Sequence, residues 1–101
     1  MREQTTSETA KQFSRFVIEL RRKQSEGLPG FEFENVAVII AQQAEHLSES
    51  FGHPAAFGLL TNLAKLTIGF RFAFEQKQMT WLDAQTNIDI ACAATAQHLD
   101  E

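Results

Sequence analysis

FENVAVIIAQQAEHLSESF, residues 33–51, places Phe33, Ala37, Ile40, Ala44, Leu47 and Phe51 in steps of four, three, four, three and four. At about 100° per residue these six side chains fall on one side of a helix, as the a and d positions of a heptad do. Val36, Val38 and Ile39 widen the stripe. A seam this short is the inner face of a bundle helix rather than a free-standing coiled coil. Gly52 suits the position after a helix and Pro54 suits the first turn of another, so the pattern predicts a helix over 32–51 and a second from 54. Phe31-Glu32-Phe33-Glu34 alternates with a strand's period of two. It is too short to pair with anything else in the chain and reads as an extended lead-in or first helical turn.

Upstream, Thr5 and Glu8 have capping-box spacing, and Ala10, Phe13, Phe16, Val17 and Leu20 recur at intervals of three and four. They predict an amphipathic helix over 6–25, closed by Gly27 and by the turn Leu28-Pro29-Gly30. Downstream, 54–78 is apolar on two faces: Phe57, Leu60, Ala64, Ile68 and Phe72 on one, and Ala56, Leu59, Leu63, Leu66, Phe70 and Phe74 on the other. A helix of this kind is expected to be buried on both. Its third stripe is Gly58, Asn62, Lys65 and Gly69, and an interior glycine costs about 1 kcal/mol relative to alanine, so close helix approach or a ligand gap would compensate. Thr80 and Asp83 cap a last helix over 81–99, with Trp81, Ala84, Ile88, Cys92, Thr95 and Leu99 on one side.

Four helices joined by short connections predict an all-α, four-helix bundle-like single domain with a long apolar third helix. Its 101 residues suit one domain, here 6–101, preceded by a flexible N-terminal arm over 1–5. Hydrophobic residues make up 44%, and no apolar run reaches the ~18–20 residues needed to cross a bilayer. The reading is of a cytoplasmic protein with no membrane partner. A single cysteine excludes an internal disulfide and a cysteine-built metal site.

The net charge of −4 disfavours a phosphate backbone as ligand, so no nucleic acid is expected. Residues 1–30 hold six bases and four acids, and the rest of the chain holds three bases and nine acids. A basic N-terminal portion on an acidic body fits a charge-asymmetric dimer or an electrostatically steered partner. The simpler reading is that Arg21, Arg22 and Lys23 complement a helix C-terminus.

Chemistry is harder to find. His46, His53 and His98 never fall four apart, and Glu32/Glu34 and Glu45/Glu49 are explained by exposure. Cys92 reads as a small hydrophobe, and Gly27-Leu28-Pro29-Gly30 lacks the lysine of a phosphate-binding loop. No catalytic, cofactor or metal site is therefore expected. What remains is more apolar surface than four short helices can cover. The expectation is a non-enzymatic regulator, adaptor or inhibitor that covers a surface of a partner protein, a class that includes phage- and plasmid-type antagonists of host regulatory or defence proteins. It is expected to form a homodimer. Partner contact is placed on Ile18 and Ile90, which lie off the apolar stripes, on Phe31 and Phe33, and on the basic rim Arg15 and Arg22. Self-association is placed on Gly58, Asn62, Lys65 and Gly69. The alternative is a small-molecule binder whose apolar pocket lies between helices, lined by the glycine stripe, Trp81 and phenylalanines.

Overall fold

A computed structural model of the chain describes residues 6–50 and 54–100. The described residues form four helices and no strand: α1 (Thr6–Ser25), α2 (Phe33–Ser50), α3 (Pro54–Glu75) and α4 (Trp81–Asp100). The arm over 1–5, the Thr5 cap, Phe51 and His53 lie outside the described residues.

Each connection has a local cause. Gly27, at φ 70°, ends α1 in the left-handed region. Its N–H donates to the Gln24 carbonyl at 3.1 Å and the Leu28 N–H donates to the Lys23 carbonyl at 3.3 Å, the paired bonds of a Schellman cap. Pro29 and Gly30 then occupy the centre of a turn closed by the Phe31 N–H on the Leu28 carbonyl at 3.1 Å, with Gly30 at φ 86°. α3 ends with the same bond pattern, from Lys77 to Phe74 and from Gln78 to Ala73. There the left-handed residue is Lys77, at φ 59°, so the helix stops at Glu75 although its composition would carry it to 78. Thr80 caps α4 as expected, its Oγ1 accepting from the Asp83 N–H at 3.1 Å.

The helices pack as neighbours around a ring, α1 on α2, α2 on α3, α3 on α4 and α4 on α1, so that α1 and α3 face across the diagonal. α2 and α3 share the most extensive contact. The seam of α2 is buried as its spacing predicts, with Phe33, Ala37, Ile40, Ala44 and Leu47 all inside. Phe13 and Leu20 from α1, Leu60 and Leu63 from α3, and Ile88 and Leu99 from α4 meet it in one core. Phe33 packs edge-on against Phe74, ring centroids 5.3 Å apart, and Arg71 Nε donates to the Glu34 carbonyl at 3.2 Å, so the end of α3 is fastened to the start of α2.

α3 departs from expectation. It buries Ala56, Leu60, Leu63, Ala64 and Thr67, a single stripe drawn from both of its apolar faces. Phe57, Leu66, Ile68 and Phe72 remain 41–56% exposed, because among the described residues α3 packs chiefly on α2 and α4. Trp81 is also exposed, at 47%. Among the described residues no helix is long and apolar enough to cross a membrane.

Candidate functional site

α1 and α4 run antiparallel and are tied at their ends. At one end Ser7 Oγ donates to Asp100 Oδ1 at 2.5 Å. At the other, Arg21 donates through Nε and Nη2 to Asp89 Oδ1 at 2.9 and 2.6 Å, and Gln24 Nε2 donates to Gln85 Oε1 at 2.7 Å. Between the ties the facing residues are small: Ala10 and Ser14 on α1, Ala93 and Ala96 on α4. Along this seam of small side chains the surface is hollowed into a groove.

Two adjoining hollows that share Ser14 make up the groove. The first, about 370 Å³, is mostly apolar, lined by Phe13, Val17, Ile18, Cys92 and Ala93, with the Arg21–Asp89 pair at its end. The second, about 510 Å³, is lined by Ala10, Lys11, Arg15, Ala96, Gln97 and Asp100. Its α1 lip is basic. Among the described residues the exposed Lys11 and Arg15 make no ion pair, whereas Asp89 is held by Arg21; Asp100, which accepts from Ser7, leaves one negative charge on the α4 lip. The groove therefore presents an apolar floor, the exposed Ile18 on its edge, and an α1 lip with two cations facing the single carboxylate of Asp100, on a chain of net charge −4.

Cys92 lies at the groove floor, and burial pushes its thiol up from 9.0 to about 12, with Asp89 adding to the rise. It is a packing residue without nucleophilic character near neutral pH. Among the described residues no three His, Cys, Asp or Glu side chains converge closely enough to hold a metal ion.

The structure brings together only part of the expected contact set. Arg15 and Ile18 share the groove. Arg22 points elsewhere and is neutralised within its own helix, 2.5 Å from both Glu19 and Glu26, which raises its basicity while the Arg22 hydrogen bond lowers the Glu19 carboxyl. Phe33 is corrected from contact residue to core residue: it is 6% exposed, since the first turn of α2 points it at Phe74. Phe31 is half-buried, with Lys23 Nζ 5.1 Å from its ring centroid. Ile90 is 63% exposed but lies off the groove on the outer side of α4. Sequence spacing passed over Lys11, Ser14, Ala93 and Ala96, whose signal is small residues at helical intervals on two segments far apart in the chain.

The glycine stripe has a different place from the one a pocket requires. Gly58, Asn62, Lys65 and Gly69 are all exposed, and a Cβ built on either glycine meets nothing within 4 Å. Among the described residues the stripe faces outward, and Trp81 borders a hollow with Leu28, Phe31 and Phe33. Comparison of the chain with protein-family models, with curated proteins and with solved structures gave no match.

Proposed function

We propose that the protein is a non-enzymatic binding protein, a regulator, adaptor or inhibitor that works by covering a surface of another protein, and that the α1/α4 groove makes the contact. The observation that carries this reading is the pairing of an apolar groove floor with the two cations Lys11 and Arg15 on one lip. An amphipathic helix lays its apolar side into such a groove, and acidic residues along one edge of it would meet the two cations. Ile18, exposed at the rim, is the apolar anchor. Native mass spectrometry of tagged protein recovered from its own host tests this, comparing the unaltered chain with Ile18→Asp, Arg15→Glu and Ile90→Asp. All three positions are exposed, so the fold should survive each change. A bound protein lost from the first two variants and kept by the third supports the groove. A partner retained by the groove variants refutes it.

The second reading, a small-molecule binder, rests on the 370 Å³ apolar hollow, whose size falls within the ~300–1,000 Å³ of ligand pockets. In the same experiment it is read as an added mass of a few hundred daltons that Ile18→Asp removes.

A further inference from the structure

The outer face of α3 carries large apolar side chains and little charge. Phe57, Ile68 and Phe72 project from one side of the helix, 49%, 42% and 56% exposed, with Gly58 and Gly69 beside them. The exposed residues from 57 to 72 include a single charge, Lys65, which makes no ion pair among the described residues, whereas the outward face of α1 carries Glu8, Lys11, Arg15, Glu19 and Arg22. Loss of charge together with enrichment in aromatic side chains marks the centre of a protein interface. Neither glycine is needed within the chain: both have room for a Cβ and neither has a positive φ. At both places the helix surface is bare, with no packing inside the chain that requires it.

We infer that this face binds a second copy of the chain, α3 against α3, as a two-fold dimer separate from the α1/α4 groove. The pattern is complementary to itself. In an antiparallel pair with its axis at Lys65, Phe72 of one copy comes level with Gly58 of the other, and the two-fold repeats the same contact on the far side of the axis. The bare helix at Gly58 is the notch that a phenylalanine ring requires, and the Lys65 stem can lie along the apolar strip with its ammonium group in water. The two Lys65 ammonium groups come near each other at the axis and repel, which limits the strength of the pairing. The area sets the strength. Three large side chains, each about half exposed, leave roughly 270 Å² of apolar surface per copy, at the ~150–250 Å² that an aromatic side chain can bury. With the glycine backbone and the Lys65 stem, the pair would bury about 800 Å² in total, below the usual size of a specific interface, so the dimer is weak and exchanging.

Sedimentation velocity on the full chain across a dilution series, from about 1 µM to about 1 mM, measures this association. Dimer forming in the upper part of that range is expected, and Phe72→Ser should weaken it about 30-fold, as loss of a central aromatic contact does. The paired change Gly58→Gln and Gly69→Gln fills the notch at Gly58 and adds bulk to the strip at Gly69, with side chains that the monomer has space for, so the helix stays folded by circular dichroism while the dimer weakens by about 10-fold or more. Ile18→Asp, at the groove, should leave the association constant unchanged. A chain that stays monomeric throughout the range overturns the inference. So does a dimer that Ile18→Asp dissolves, or one that neither Phe72→Ser nor the glutamine pair weakens, since it would then use another face.

Discussion

Replacing Gly58 and Gly69 together by alanine should stabilise the monomer, by an amount that follows from their surroundings. Both positions are helical, exposed and clear of any neighbouring atom within 4 Å of a Cβ, so the added methyl groups neither clash nor become buried. What remains is the backbone term, in which an interior glycine costs about 0.5–1 kcal/mol relative to alanine through the greater freedom it loses on folding. The sites lie three turns apart and share no contact, so their effects should add, to about 1–2 kcal/mol. In a domain of this size each kcal/mol raises Tm by about 4–8 °C. Urea and thermal unfolding followed by circular dichroism at about 1 µM, where a weak dimer is dissociated, would measure the gain, with an unchanged urea slope. At higher concentration the gain should shrink if α3 pairs through its notches, because association stabilises the unaltered chain by mass action. A double variant no more stable than the parent at low concentration would refute the placement of these glycines in open helical surface.

Three further predictions concern single groups. Thr9 is fully buried and its Oγ1 has no hydrogen-bond partner among the described residues, so the nearly isosteric Thr9→Val should raise stability by about 1 kcal/mol in urea unfolding; a loss would mean that the hydroxyl is satisfied. Lys77 holds a left-handed conformation where glycine is the preferred C-terminal cap, and Lys77→Gly should gain about 1 kcal/mol by the same measurement, a result that an unstrained Lys77 would not give. Cys92 has its thiol raised to about 12, so only about one native molecule in 10⁴ carries thiolate at pH 8, and iodoacetamide should modify it on the order of 10³-fold more slowly than in the unfolded chain. Because the folded value lies above the unfolded one, the contribution of Cys92 is complete below about pH 9 and declines as pH rises toward 12; a Cys92→Ala variant would lack that decline.

The helices could be read from the sequence because each has a strong local signal. Periodicity marks α2 from Phe33 to Leu47, Gly27 stops α1, and Thr80 starts α4. Lys77 gave no such signal, since lysine has no preference for the left-handed region, and α3 was expected to run three residues longer than it does. Periodicity identifies an apolar stripe without saying which neighbour covers it. On α3 both apolar faces looked buried, yet a ring of four helices covers only the stripe centred on Leu60, Leu63 and Thr67. Phe33 shows the opposite error. Its alternation with Phe31 resembled an exposed lead-in, while the heptad that also begins at Phe33 had already placed it inside. The groove was illegible for a different reason. It depends on which small residues of α1 and α4 come to face each other, and the ties that set this register, Arg21 with Asp89 and Gln24 with Gln85, join residues more than sixty positions apart.

The two proposed surfaces are compatible because of the ring order of the helices. The groove lies between α1 and α4, and α3 stands across the diagonal from α1, so a dimer closed through the outer face of α3 leaves both grooves open. Such a dimer presents two equivalent sites, and a partner that itself repeats, or is held on a surface, would engage both at once. The second contact is then intramolecular, and linked sites of this kind gain about 10²–10⁴ in apparent affinity where geometry allows both to bind. A weak α3 contact would suffice, since a repeating partner also raises the local concentration of the two copies. The consequence can be measured by comparing unaltered protein with Phe72→Ser on a partner immobilised at high and at low density. If the surfaces cooperate, the variant loses affinity at high density and matches the parent at low density. Equal loss at both densities would place Phe72 within the partner contact and end the division of labour between the two faces.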